Sequence, residues 1–199
     1  MLLYDSAVSG NCYKVRLLLA HLGLPYERVE LDVVDRSNRE SVIGRERNPS
    51  LRVPTLVLDD GRALGESNAI LWWLAEGTSY LPDDRFERAQ VLQWQFFEQY
   101  DHEPQIAVAR FLLTMRPETP DPARIEALHA GGHRALRALE AHLETRTFLV
   151  GQRYSIADIA LYAYTHVASE AGFDLASYPA TRAWLGRVAA QPGHVPITA

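Results

Sequence analysis

Three clusters in the first seventy positions carry groups suited to holding a small charged ligand. Ser9, Asn11 and Cys12 precede or open a run in which Val15, Leu18, Leu19 and Leu22 recur at helical spacing. A hydroxyl or amide there can donate to an anion at a helix start, and a thiol can react as a nucleophile. A lone Cys in a first helical turn is, however, more often a small buried hydrophobe. Glu66-Ser67 opens a second helical run carrying Ile70, Leu71, Trp73 and Leu74. Ser67 is a natural N-cap. Free N–H groups at a helix start also bind carboxylates, and Glu66 beside them can pair with an ammonium. Between the two, Val53-Pro54 begins an apolar strand, a position where Pro is common for purely structural reasons.

The chain of 199 residues is 47% hydrophobic and 23% charged, with a formal net charge of -5. That is globular composition. Charges of both signs are interspersed, so the basic face of a nucleic-acid binder is absent from the pattern. The single cysteine excludes an intrachain disulfide framework. The opening residues lack the basic and long apolar regions of a signal peptide, and no apolar stretch approaches a membrane span. A cytoplasmic protein, with neither membrane nor nucleic acid as partner, is the expectation.

The elements that must position these clusters follow from patterning. Leu2-Leu3-Tyr4 reads as a buried strand, the run carrying Val15, Leu18, Leu19 and Leu22 as a helix stopped by Gly23 and Pro25, and residues 26–31 as an alternating second strand. Strand, helix and strand in this order predict a parallel pair with a crossover. Residues 37–47 suggest an irregular short helix. Residues 54–58 and Ala63-Leu64 read as strands joined by the Asp59-Asp60-Gly61-Arg62 turn. After residues 78–84 strand signals vanish. A long helix over residues 86–115, bent near Pro104, a loop over 117–122, and helices over 123–143, 159–167 and 180–190 are predicted, with Ser155 and Asp158 forming a capping-box-like start. The fold class is therefore α/β plus all-α: a βαβ-α-ββα domain over residues 1–79, a linker at 80–84 and an all-helical domain over 85–199.

This arrangement resembles the glutathione S-transferase superfamily over essentially the whole chain, which implies a thioredoxin-like first domain. The segment from Asn48 to Leu56 is similar to the family's NPxxxVPxL motif, and Glu66-Ser67-Asn68-Ala69-Ile70 matches ESxAI. Ser155-Ile156-Ala157-Asp158 resembles the family's capping box. The run from Ser9 to Arg16 resembles the catalytic loop of serine-type and bacterial members of theta, zeta or nu character.

The resemblance implies a cis bond before Pro54 and pairing of the Val53 main chain with glutathione's cysteinyl unit, a form of strand addition. It also implies that Ser67 holds the γ-glutamyl carboxylate and Glu66 the ammonium, and that Arg52 lies near the glycyl carboxylate, with Arg45 and Arg47 as further loop cations. Leu51 is apolar where a polar residue is usual. The chemistry needs a thiolate, and lowering a thiol pKa from about 8.5 by two units takes about 2.7 kcal/mol of preferential anion stabilisation. Ser9 is the first candidate donor, Asn11 the second and Cys12 the third, with Tyr4 read mainly as core. The Ser9-Gly10-Asn11 sequence departs from the zeta-type pattern and argues against maleylacetoacetate isomerisation.

A small hydrophobic electrophile is the implied second substrate and a homodimer the implied assembly, with Asp101 a possible cross-subunit contact to glutathione's ammonium. A solvated charge cluster at a helix bend explains Asp101 equally well. No metal site is expected, because His129 and His133 flank Gly131-Gly132 without a third ligand. Three functions remain open: transfer of glutathione to an electrophile, glutathione-dependent reduction of a disulfide or peroxide, and non-catalytic binding by a protein that kept the fold.

Overall fold

The computed structural model describes residues 1–116, 118 and 120–199. Two compact units are present, one formed by residues Met1–Thr78 together with Pro192–Ala199, the other by Ser79–Gln191. The expected split is thus altered at its end, because the last eight residues belong to the first unit. The expected loop at 117–122 includes Pro117 and Thr119, which lie outside the described residues.

In the first unit, β1 (Leu2–Asp5), α1 (Gly10–Leu22), β2 (Glu27–Glu30), α2 (Arg39–Val42), β3 (Thr55–Val57), β4 (Ala63–Leu64) and α3 (Ser67–Ala75) follow in order. The sheet runs β2-β1-β3-β4. β1 and β2 are parallel, with Tyr4 opposite Val29, while β1–β3 and β3–β4 are antiparallel. α1 ends where Gly23 adopts φ 63 and its N–H reaches the carbonyls of Leu19 and Ala20, a left-handed cap that a glycine makes without steric cost. Tyr4, Leu31 and Ile43 form a buried cluster, so Tyr4 is a core residue.

Residues Pro192–Ala199 fasten to this unit mainly through their carbonyls. The Tyr13 hydroxyl donates to Val195 O at 2.7 Å, Arg28 Nη1 to Ala199 O at 2.9 Å and the His21 ring Nδ1 to Pro192 O at 2.8 Å. Arg16 Nη2 donates to Ile197 O.

The second unit is helical: α4 (Arg85–Phe97), α5 (Glu103–Arg110), α6 (Pro122–Leu143), α7 (Ile156–Thr165) and α8 (Pro179–Ala189). The expected long helix is a continuous helical run in which two π-helical turns, Glu98–His102 and Phe111–Met115, flank α5. The first lies immediately before Pro104. A proline has no N–H and its ring crowds the preceding turn, so the ladder widens there. Every residue of α7 is buried. Its start is a full capping box: Ser155 Oγ accepts from Ala157 N, and Asp158 accepts from Ser155 N at 2.9 Å.

Gly132 explains itself by packing, since a Cβ there would lie 2.3 Å from the ring of Phe173. His129 and His133 both meet that ring edge-on, and they bond to Ala171 O and the Tyr178 hydroxyl, each at 2.8 Å. Their spacing therefore serves the core. No described helix is long and apolar enough to cross a membrane.

Candidate glutathione site

The loop after β1 is shaped by one buried guanidinium. Arg16, 1% exposed, donates to Asp5 Oδ1 at 2.6 Å and to the carbonyls of Ser6 and Ala7 at 3.1 Å each. Asp5 is also paired with Arg28 at 2.7 Å. An Arg has five donors in a rigid fork, so a single side chain ties the end of β1, the loop and residue 197 together. Ser9 then caps α1: its Oγ accepts from Cys12 N at 3.3 Å. That bond uses an oxygen lone pair, which leaves the hydroxyl proton to be donated elsewhere.

Cys12 is fully buried, and burial pushes its thiol far up. It is a core residue, and the reading of it as a small buried hydrophobe accounts for its place on α1.

Asn11 and the start of α3 meet through a residue that sequence reasoning passed over. Lys14 is fully buried, and its Nζ donates to Asn11 Oδ1 at 2.8 Å and to Ser67 Oγ at 3.3 Å. Ser67 is not the N-cap expected of it. Glu66 occupies that position with φ 61 and ψ 112, and Ser67 is the first residue of α3. The positive φ at Glu66 turns the chain so that the Ser67 hydroxyl points at Lys14 and Asn11 instead of back over its own helix. A non-glycine residue held at positive φ is uncommon and concentrates at ligand sites. The Glu66 side chain is exposed.

The Val53–Pro54 bond is cis. Ahead of it, Asn48 organises the loop. Its Nδ2 donates to Arg52 O at 3.1 Å and Thr55 Oγ1 at 2.8 Å, while its Oδ1 accepts from Ser50 N at 3.0 Å and Ser50 Oγ at 2.8 Å. Thr55 Oγ1 adds a 2.7 Å bond to Arg52 O. Within this frame Leu51 adopts φ 53. Among the described residues nothing hydrogen-bonds the main chain of Val53. The Asn48 side chain also backs onto Gly65, where a Cβ would lie 2.9 Å from Nδ2, so the loop before Val53 and the residue before Glu66 approach closely. Asn48 stood at the start of the quoted motif, where its residue type alone does not reveal that its side chain is buried.

Arg52 is exposed. Arg45 pairs with Glu40 at 2.9 Å, and Arg47 donates to Ile43 O at 3.0 Å. In the second unit the polar run at 100–103 divides: Tyr100 and Asp101 are exposed, whereas His102 is buried and bonds Thr165 Oγ1 at 2.9 Å.

Comparison with known proteins gives the family of this fold. Residues 3–79 match the model of the glutathione S-transferase N-terminal domain, and residues 102–192 that of the C-terminal domain. A crystal structure of a glutathione S-transferase from Pseudomonas fluorescens [Pf-5] is 49% identical, with a TM-score of 0.94, covering 100% of this chain and 98% of that one. The disulfide-bond oxidoreductase YfcG of Escherichia coli (strain K12) is 31% identical over 94% of this chain and 89% of its own length. Glutathione S-transferase 3 of Zea mays is 29% identical over 96% and 89%, respectively. The cis proline after a main chain open to pairing, the turn at Glu66 and the capped loop at Ser9 sit on this fold, and the chain belongs to the glutathione S-transferase family.

Proposed function

We propose that the protein binds glutathione in its first unit and activates the thiol for attack on a small hydrophobic electrophile. The observation that carries this reading is the convergence of Asn11 and Ser67 on Lys14, which gathers a loop at the start of α1 and the N-terminus of α3 into one site. The γ-glutamyl carboxylate would take the N–H groups at the start of α3, and Glu66 the ammonium. The main chain of Val53, turned by the cis bond to Pro54, would pair with the cysteinyl unit, with Arg52 near the glycyl carboxylate. Ser9 or Asn11 would donate to the sulfur and favour its ionised form. The thiol proton leaves to solvent, the thiolate attacks the electrophilic carbon, and a C–S bond replaces the bond to the leaving group. A charge-assisted hydrogen bond together with a helix N-terminus can supply roughly the 2–3 kcal/mol that ionisation at neutral pH requires.

A second reading is reduction of a disulfide by glutathione at the same site, favoured by Asn11 and by the likeness to the oxidoreductase YfcG. A homodimer in the cytoplasm fits both. The exposed Phe96 and Tyr100, at 68% and 83%, are large apolar groups of the kind that assembly covers, and Asp101 beside them would be the cross-subunit contact.

Calorimetric titration with glutathione, followed by assays of conjugation to a chlorinated nitrobenzene and of reduction of a glutathione mixed disulfide, tests the proposal. Binding with conjugation supports the first reading, and binding with reduction alone supports the second. Absence of binding overturns both and leaves a non-catalytic member of the family.

A further inference from the structure

We infer that Lys14 is a positioning residue for the glutathione thiol, acting by fixing the orientation of the Asn11 side-chain amide. The inference rests on the proposed glutathione site and goes beyond it, because it chooses which end of Asn11 the ligand meets and says what holds it.

Lys14 stands one turn after Asn11 on α1 and is fully buried. A buried ammonium is costly unless acceptors surround it, so its presence in the apolar stripe of α1 calls for a role. Its Nζ lies 2.8 Å from one terminal atom of the Asn11 amide. An ammonium has donors only, so the atom it faces must be the oxygen. The two ends of an asparagine amide are ordinarily interchangeable in shape, and here the cation removes the ambiguity. The amide nitrogen, with its two N–H groups, is thereby turned away from Lys14 as the donating end. Without the cation the amide loses the donor that selects its oxygen, and in the reversed orientation the oxygen would oppose the thiolate.

Ser67 completes the device. Its Oγ lies 3.3 Å from Nζ and 3.3 Å from Asn11 Oδ1. With the ammonium donating to Oγ, the hydroxyl proton is directed at Oδ1, which therefore accepts from two sides. A polarised amide is also a stronger donor at its other end. The first turn of α3 and the first turn of α1 are in this way set by the same cation.

The experiment uses the full chain and follows the ultraviolet absorbance of the bound glutathione thiolate against pH. Lys14→Met should raise the apparent pKa of the bound thiol by about one unit or more, the scale of one lost anion-stabilising donor. Asn11→Ala should do the same, and Lys14→Met placed in the Asn11→Ala background should add little, because the cation acts through that amide. A purely structural Lys14, or one acting only through its field, would shift the pKa equally in both backgrounds, and that result would overturn the inference.

If Lys14→Met does not fold, Asn11→Asp decides. A carboxylate keeps the pairing with Lys14 but offers no donor, so Asn11→Asp should fold at least as well as Asn11→Ala and lose the lowered pKa as fully. A wild-type thiol pKa in Asn11→Asp refutes the inference. Failure of the wild-type chain to bind glutathione would instead remove the proposed site on which the inference stands.

Discussion

The indole Nε1 of Trp184 donates to Asp158 Oδ1 at 2.9 Å, joining α8 to the first turn of α7 inside the helical unit. The same carboxylate accepts from Leu149 N at 3.0 Å and from both the N–H and the hydroxyl of Ser155. Burial outweighs these four donors and pushes Asp158 up to about 6. An unfolded Asp titrates near 3.9. Between about pH 4 and pH 6 the folded chain therefore holds a proton that the unfolded chain has released. Stability from this group is greatest below that window and declines as pH rises through it, by about 3 kcal/mol in total. Urea melts of the wild type and Asp158→Asn across pH 4–7 should show the wild type losing its advantage over the always-neutral variant as pH rises. A pH-independent gap would contradict this.

Ser9 caps α1 and, under the proposed function, would also donate to the glutathione thiol. Removing its Oγ strips the cap from Cys12 N and should cost about 0.5–2 kcal/mol in Ser9→Ala, but only a few tenths in Ser9→Gly. Both variants lose the hydroxyl proton and should lower the glutathione transfer rate by about a hundredfold. Thermal melts and initial rates on the pair distinguish the two tasks. An unchanged rate in both would assign the donor role to Asn11 alone.

Asn48→Ala should loosen the segment that presents Val53. It removes the donor shared by Arg52 O and Thr55 Oγ1 and the acceptor of Ser50, and each lost hydrogen bond costs about 0.5–1.5 kcal/mol. Because the affected peptide would bind glutathione in ground state and transition state alike, KM for glutathione should rise while kcat changes little. Steady-state kinetics at saturating electrophile give both values.

Deleting residues 192–199 takes acceptors from Tyr13, Arg16, Arg28 and His21 at once. The melting temperature should fall by several degrees. Arg16→Met should do so as well and, because the loop carbonyls of Ser6 and Ala7 lose their shared donor, should also depress glutathione binding.

Much of the element order was legible because hydrophobic period separates strands from helices. The β1–β2 parallel pair, the Ala63-Leu64 strand and the Ser155–Asp158 box all follow from residue type and spacing. The π-helical turns were not, since one extra residue per turn hardly disturbs a 3.6-residue stripe. The N-cap at α3 was misplaced by one, because Glu66 and Ser67 both suit a helix start and only the positive φ at Glu66 decides between them. Residues 192–199 escaped notice because they act through main-chain carbonyls, which every residue type carries. Lys14 was visible as a cation among Val15, Leu18 and Leu19, but burial alone shows that it faces inward.

The fastening of residues 192–199 to the first unit has a consequence for the order of synthesis. β1 and α1 emerge early, yet the carbonyl that completes the ring of acceptors around Arg16 belongs to Ile197. All of Ser79–Gln191 must be translated first, which at about 5–20 residues per second takes on the order of ten seconds. During that interval Arg16 holds the loop bearing Ser9 through Asp5 and the carbonyls of Ser6 and Ala7, without the tie to Ile197. The loop bearing Ser9 therefore gains its last Arg16-mediated tie only after the helical unit has been made.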